Sequence, residues 1–65
     1  MNYEIIVKGH VSEAMFDGFL VEWQEDATTR VSGEIVDQAA LYGLLRQIRD
    51  LGIELIAIKP DQMNS

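Results

Sequence analysis

Alternation of apolar and polar positions predicts three strands in the first half of the chain. The residues from Tyr3 to Lys8 alternate with a period of two, which sends successive side chains to opposite faces of a strand. The same period recurs from Phe19 to Gln24 and from Thr29 to Ile35, on either side of a polar turn. We therefore predict one strand followed by a hairpin, with Glu22 and Arg30 facing each other across it.

One strong helix and a fourth strand follow. Asp37 is a favourable N-cap, and Gly52 suits the left-handed residue that ends many helices. Between them, apolar residues recur at helical spacing: Leu41, Leu44, Leu45, Ile48 and Leu51. The run from Ile53 to Ile58 is rich in β-branched residues and predicts a strand that ends before Pro60. The segment from Ser12 to Gly18 predicts only one or two helical turns.

This order of elements predicts an α+β fold, a four-stranded antiparallel sheet with one long helix on one face. Right-handed crossovers place the first and third strands in the centre of the sheet, which is a ferredoxin-like split βαβ arrangement with a reduced first helix. A split βαβ variant with only a loop after the first strand is the nearest alternative, and the sequence leaves both open. We predict a single domain over residues 1–60 and a polar tail over residues 61–65.

The sheet carries more apolar side chains than one helix can cover. If the helix packs on the face of Ile5 and Val7, four aliphatic residues alternate onto the other face: Ile6, Leu20, Ile56 and Ile58. Such a group forms a patch of roughly a few hundred Å², the size that marks interaction surfaces. A one-residue shift of the fourth strand, or cover by residues 15–16, is the alternative. Ala39 and Gly43, opposite the leucine stripe, offer a second surface for close approach.

Composition excludes several classes of function. The 65 residues include eleven acidic and five basic ones, for a net charge of −6, which repels the phosphates of nucleic acids. The absence of cysteine removes disulfides, thiolate nucleophiles and most structural zinc sites, and it fits a reducing compartment. The sequence has no apolar run of about 20 residues. We expect a cytoplasmic protein that binds neither nucleic acid nor membrane.

The titratable residues give a weak signal for chemistry. His10, the only histidine, is followed by Glu13 and Asp17, and the three together offer a cation site or an acid/base pair. Their spacing matches no known ligand signature, and a polar loop after a strand has the same appearance. We predict no catalytic residue, no metal and no cofactor.

Three other residues are candidates for ligand or interface contacts. Trp23 shares a face with Val21 and is expected in the core, with a ligand pocket as the alternative. Tyr42 lies at the flank of the leucine stripe, where an interface contact is expected. Arg46 lies on the solvent side of the helix and is able to hold a carboxylate.

The helix also carries a family resemblance. Residues 37–52 read DQAALYGLLRQIRDLG, and this stretch resembles a family of small bacterial proteins of uncharacterised function that share a DQAALxGLLxxIRDLG core. The openings Tyr3-Glu4-Ile5 and Lys8-Gly9-His10 resemble the same family, so the likeness covers most of the chain. The resemblance implies no activity.

We expect a non-enzymatic interaction or regulatory accessory module that self-associates as a homodimer or binds another protein. A module that binds a small molecule in a pocket at a dimer interface is the first alternative. A cofactor-free enzyme using His10 with Glu13 or Asp17 is the second.

Overall fold

The structure is a computed structural model, and it describes residues 1–60. The predicted polar tail, residues 61–65, lies outside the described residues. Four strands, one short 3-10 helix (Glu13–Met15) and one α-helix follow in the predicted order. Their bounds are β1 Asn2–Lys8, β2 Leu20–Trp23, β3 Thr28–Glu34, α1 Gln38–Asp50 and β4 Leu55–Pro60.

The strands form one antiparallel sheet in the order β2-β3-β1-β4, so β1 and β3 lie in the centre, as predicted. The protein is therefore an α+β domain with a four-stranded antiparallel sheet and one helix. Its closer assignment as ferredoxin-like stays a prediction. Because β1 has a neighbour on both sides, its alternate residues Ile5 and Val7 are fully buried.

The predicted caps bound α1. The Asp37 side chain accepts from the Ala40 amide at 2.8 Å, which satisfies one of the free donors at the start of the helix. At the other end Gly52 has φ +74°, and the Ile53 amide donates to the Ile48 carbonyl at 3.2 Å. This is the hydrogen-bond pattern of a Schellman motif. It holds Ile53 to the helix, so β4 begins at Leu55, two residues later than predicted.

The core lies between α1 and the face of the sheet that we call the inner face. It consists of five buried residues in mutual contact: Ile5, Val7, Phe16, Val31 and Ile48. Leu44 and Leu45 of α1 pack against this cluster, which confirms the middle of the leucine stripe, whereas Leu51 at its end is 47% exposed. Phe16 follows the 3-10 helix directly and is 2% exposed. The short segment between β1 and β2 thus contributes one large side chain to a small core.

The two edges of the sheet differ from each other. In β4 the pairing with β1 shifts between Ile6 and Val7, so that Ile56 is an extra residue in a bulge. Ile58 then lies opposite Ile5 and packs against the core. The prediction that Ile58 shares the second face with Ile6 is therefore wrong, because the bulge changes which β4 residues face the helix.

Candidate functional site

The inner face of the sheet is only partly covered along β2, because Phe19 and Val21 are half-buried against the core whereas Trp23 is exposed. Four strands about 4.8 Å apart form a face roughly 19 Å wide, whereas a helix is about 10–12 Å across. A full helix between β1 and β2 would cover the rest, but this connection contains only the 3-10 helix of three residues. We use the name open side for the inner-face residues Val21 and Trp23 of β2, the preceding Phe19, and the clefts beside them.

Two clefts flank the open side. The first has a volume of about 600 Å³, and its apolar lining consists of Phe19, Ile35, Val36, Ala40 and Leu44. Glu34 and Gln47 are its polar lining residues. The second has a volume of about 550 Å³ and is lined by Ser12, Glu13, Val21 and Trp23. Successive inner-face residues of β2 thus contribute to both clefts, so one extended molecule beside β2 would reach both.

Trp23 lies on the surface and not in the core, contrary to the prediction. Its side chain is 64% exposed and stacks on the His10 ring, with ring centroids 4.8 Å apart and planes 2° from parallel. The indole Nε1 donates to the Val11 carbonyl at 2.9 Å, and His10 Nε2 lies 2.9 Å from the Gln24 carbonyl. Because a carbonyl oxygen only accepts, Nε2 carries the proton in this bond. The stack joins the loop after β1 to the end of β2.

Thr29 holds the loop after β1 in place through two hydrogen bonds. It is the one buried polar side chain among residues 1–60. Its hydroxyl donates to the Gly9 carbonyl at 2.6 Å and accepts from the Val11 amide at 3.1 Å. These two bonds hold the loop on either side of His10, so Thr29 positions the imidazole against Trp23.

Phe19 and Gly33 form a close contact on the open side. A Cβ atom built on Gly33 would lie 2.6 Å from Cδ2 of the Phe19 ring. The ring therefore lies directly over the glycine, and Phe19 also lines the first cleft.

We expect Gly33→Ala to move the Phe19 ring and to lower the free energy of unfolding by about 1–3 kcal/mol, the range for overpacked sites. Urea unfolding measures the loss. The matched control is Gly43→Ala, because nothing lies within 4 Å of a Cβ at Gly43 and alanine favours a helix. The double variant Gly33→Ala with Phe19→Ala should lose less than the two single losses added together. Equal stability of Gly33→Ala and the parent would contradict the contact.

The free edge of β2 presents backbone groups. The Gln24 amide donates to the Thr28 carbonyl at 2.8 Å, so this pair is hydrogen-bonded. Hydrogen-bonded and non-hydrogen-bonded pairs alternate along an antiparallel pair of strands. The main chain of Glu22 therefore also bonds to β3, whereas Val21 and Trp23 direct their N–H and C=O groups away from β3. The two residues that line the second cleft are therefore those whose main chain faces outward.

The opposite edge is protected. β4 has the bulge at Ile56, a lysine at position 59 and a proline at position 60. All three features are devices that prevent a further strand from pairing with an edge. By contrast β2, with the sequence LVEW, has no lysine, no proline and no bulge in its pairing with β3. Of the two edges, β2 is the one open to a further strand.

Arg30 makes the outer face more polar than the sequence suggested. Its guanidinium bonds to Glu22, as the predicted pairing requires, and Nη1 also donates to Glu4 Oε2 at 3.3 Å. The hydrogen bond to Glu22, followed by that to Glu4, raises the pKa of Arg30 above its ordinary value. Lys59 lies 3.9 Å from the other Glu4 oxygen. This ionic network occupies the centre of the face that we expected to be apolar.

The predicted interface residues are dispersed by the fold. Ile6 is partly buried between Arg30 and Ala57, Leu20 is 59% exposed on the edge strand, and Ile56 is 51% exposed in the bulge. Ile58 belongs to the core side. An interface role for these residues stays a prediction.

On α1, the candidates Ala39, Tyr42, Gly43 and Arg46 are all exposed. A Cβ at Gly43 would meet nothing within 4 Å, so this surface is open in the chain by itself. Tyr42 is 58% exposed. A role for this helix surface or for Arg46 in binding stays a prediction.

The cation hypothesis gains no support from the geometry. Among residues 1–60 no group of three histidine, cysteine or acidic side chains is placed to hold a metal ion, and His10 bonds instead to the Gln24 carbonyl. Within the same range no helix is long and apolar enough to cross a membrane.

The sequence did not identify Phe19, Val36 and Leu44 as lining residues of a shared cleft. Phe19 was assigned to a strand face and Leu44 to the helix stripe, and Val36 was not singled out. The length of the first connection was an available signal, since eleven residues with one or two helical turns leave part of a sheet uncovered.

The fold and this surface define a small α+β domain in which a single helix covers part of a four-stranded antiparallel sheet. The chain belongs to the family described as a domain of unknown function, DUF8691, whose model matches residues 2–59. No curated protein matches the chain, and no solved structure does.

Proposed function

We propose that this protein is a non-enzymatic interaction module that binds an extended polypeptide segment of a partner along the open side. The observation that carries the proposal is the combination of an unprotected β2 edge with two largely apolar clefts beside it. Addition of a strand to a sheet edge is a recurring mode of peptide recognition, in which main-chain bonds give affinity and alternate side chains give specificity.

The main chain and the side chains of a bound segment would contact different parts of the open side. Its main chain would bond to the outward N–H and C=O groups of Val21 and Trp23. Side chains two residues apart in a strand lie about 7 Å from each other on the same face. Alternate side chains of the segment would therefore enter the clefts beside Val21 and Phe19 in succession.

The exposed apolar side chains support the same proposal. Trp23 and Val36, at 64% and 81% exposure, lie at the two clefts, and burial of apolar surface favours association by about 25 cal/mol per Å². His10, the residue on which the enzymatic alternative depends, is engaged with Trp23 and with a main-chain carbonyl. This arrangement supports a structural role for the imidazole.

Selection from a library of random heptapeptides against the immobilised chain tests the proposal. We expect the selected peptides to carry apolar residues at alternate positions. When a selected peptide binds, hydrogen exchange at the Val21 and Trp23 amides should slow. Glu22 is the internal control, because its amide already bonds to β3 and should exchange slowly in the free protein as well.

Two outcomes would contradict strand addition. One is selected peptides without alternation. The other is protection that appears on β4 or α1 while the Val21 and Trp23 amides exchange as fast as in the free protein.

Binding of a small molecule is a second candidate, and the first cleft favours it. Its volume of about 600 Å³ falls within the range of ligand pockets, and it combines an apolar lining with Glu34 and Gln47. A ligand of this kind would shift the NMR resonances of Ala40 and Leu44 without slowing exchange at Val21. A fragment screen by NMR thus separates the two candidates.

A further inference from the structure

The negative charge of this protein is concentrated in the elements that form the open side. Residues 13–34 span the 3-10 helix, β2 and β3, and they contain six of the eleven acidic residues but only one basic residue, Arg30. This segment therefore carries five of the six net negative charges of the chain. The acidic residues are Glu13, Asp17, Glu22, Glu25, Asp26 and Glu34.

Four of these acidic groups lie at the clefts or in the turn that follows β2, and one of them, Glu34, is 3.8 Å from the amino group of Met1. Glu13 lines the second cleft and Glu34 the first. Glu25 and Asp26 are exposed in the turn that follows Trp23. The remaining bases are Lys8 on β1, Lys59 on β4, and Arg46 and Arg49 on α1, and none of them lines either cleft.

Glu22 retains a free acceptor for a partner. Arg30 donates to Glu22 through Nε and Nη2, and both bonds end on Oε1. Among the described residues no hydrogen bond or ion pair involves Oε2 of Glu22, whose side chain is 41% exposed. A cation on the outward side of an added strand would therefore find a half-exposed carboxylate oxygen on the neighbouring strand.

We infer that the partner segment is basic, with apolar residues at alternate positions and lysine or arginine between them. This inference rests on the proposed function and names the chemistry of its partner. Apolar side chains face the clefts, and cationic side chains face Glu22 on the opposite face of β2 and the exposed Glu25 and Asp26 in the turn after it. A second copy of this chain fits poorly, because β2-to-β2 pairing would bring two segments with five net negative charges each against one another.

Three capped heptapeptides with the pattern X-Val-X-Val-X-Val-X test the inference, where X is lysine, serine or glutamate. We expect the lysine peptide to bind at least about tenfold more tightly than the glutamate peptide, with the serine peptide between them. Raising the salt concentration about tenfold, from roughly 0.05 to 0.5 M, screens interactions between exposed charges. It should strongly weaken the binding of the lysine peptide alone. A peptide of the same lysine and valine content in two blocks controls for attraction without alternation.

Matched charge-removing variants test whether the preference for the lysine peptide arises at the open side. Glu25→Gln with Asp26→Asn removes two exposed charges from the turn after β2, whereas Asp50→Asn with Glu54→Gln removes two exposed charges from other elements. The first pair should weaken the lysine peptide several-fold and leave the serine peptide unchanged, and the second pair should change neither. All four residues are exposed, so both variants should fold like the parent.

The outcomes separate this inference from the proposed function. If all three peptides protect the Val21 and Trp23 amides with equal affinity and no dependence on salt, strand addition holds and the basic partner is wrong. If no peptide protects these amides, the proposed function fails as well. Equal binding of the block peptide would reduce the result to charge attraction and overturn the alternating pattern, and growth of the molar mass in light scattering together with protection of the Val21 and Trp23 amides, both without peptide, would identify a second copy as the occupant.

Discussion

Replacement of Phe16 by alanine should leave a large fraction of the protein unfolded at room temperature. Phe16 is 2% exposed and is one of the five buried residues of the core cluster, and truncation of a buried phenylalanine costs about 3–5 kcal/mol. The whole free energy of unfolding of a chain of this length is about 3–10 kcal/mol. Urea unfolding followed by circular dichroism measures the loss.

Leu20→Ala is the control for Phe16→Ala, because Leu20 is the same kind of large apolar residue but is 59% exposed. It should change the free energy of unfolding by no more than about 0.5 kcal/mol. A loss below about 1 kcal/mol for Phe16→Ala would mean that the segment after β1 does not contribute to the core.

Thr29→Val should lower the free energy of unfolding by about 2–4 kcal/mol, although valine has nearly the same shape as threonine. The change removes the donor to the Gly9 carbonyl and the acceptor for the Val11 amide, and each unpaired group at a site shielded from water costs about 1–3 kcal/mol. The fluorescence of Trp23, the only tryptophan in the chain, should change too, because the loop no longer holds His10 against its ring.

Thr28→Val is the matched control for this variant. The Thr28 hydroxyl donates to Asp26 in an exposed turn, so its removal should cost about 1 kcal/mol or less and leave the Trp23 fluorescence unchanged. Equal losses for the two threonine variants, or an unchanged tryptophan signal in Thr29→Val, would show that Thr29 does not position the stack.

Most of the fold could be predicted from periodicity and caps. The alternation in β1 identifies Ile5 and Val7 as core, and Asp37 and Gly52 mark the ends of α1 to within one or two residues. These signals are local, because each depends on the backbone geometry of a few adjacent residues. The order of the strands followed from the handedness of crossovers.

The errors came from interactions between distant residues. The β4 bulge that moves Ile58 to the core side depends on pairing with β1, which has no signature in the sequence of β4 itself. Trp23 has the pattern of a core residue, yet no element covers that part of β2, so it stacks on His10 at the surface. The clefts likewise depend on distant residues: α1 lies beside Phe19 in the first, and Ser12 and Glu13 lie beside β2 in the second.

The charged residues on the outer face of the sheet, opposite the helix, also show that contacts between distant residues are not predictable from local sequence. The pairing of Glu22 with Arg30 was predictable from the hairpin register, but the second partner, Glu4, comes from β1 and is 26 positions away from Arg30. With Glu4 and Lys59 the pair becomes a network, and the predicted apolar patch becomes largely polar.

The contrast between the two sheet edges limits how assemblies can grow. A sheet with two equivalent open edges can add strands at both ends, and each addition creates a new template for the next. Here the bulge, Lys59 and Pro60 disfavour growth through β4, so under the proposed function the four strands would accept a guest only at β2. Each copy would therefore bind one segment, with one-to-one stoichiometry. Edge-to-edge pairing of such domains would stop at two copies, because each copy offers only one open edge.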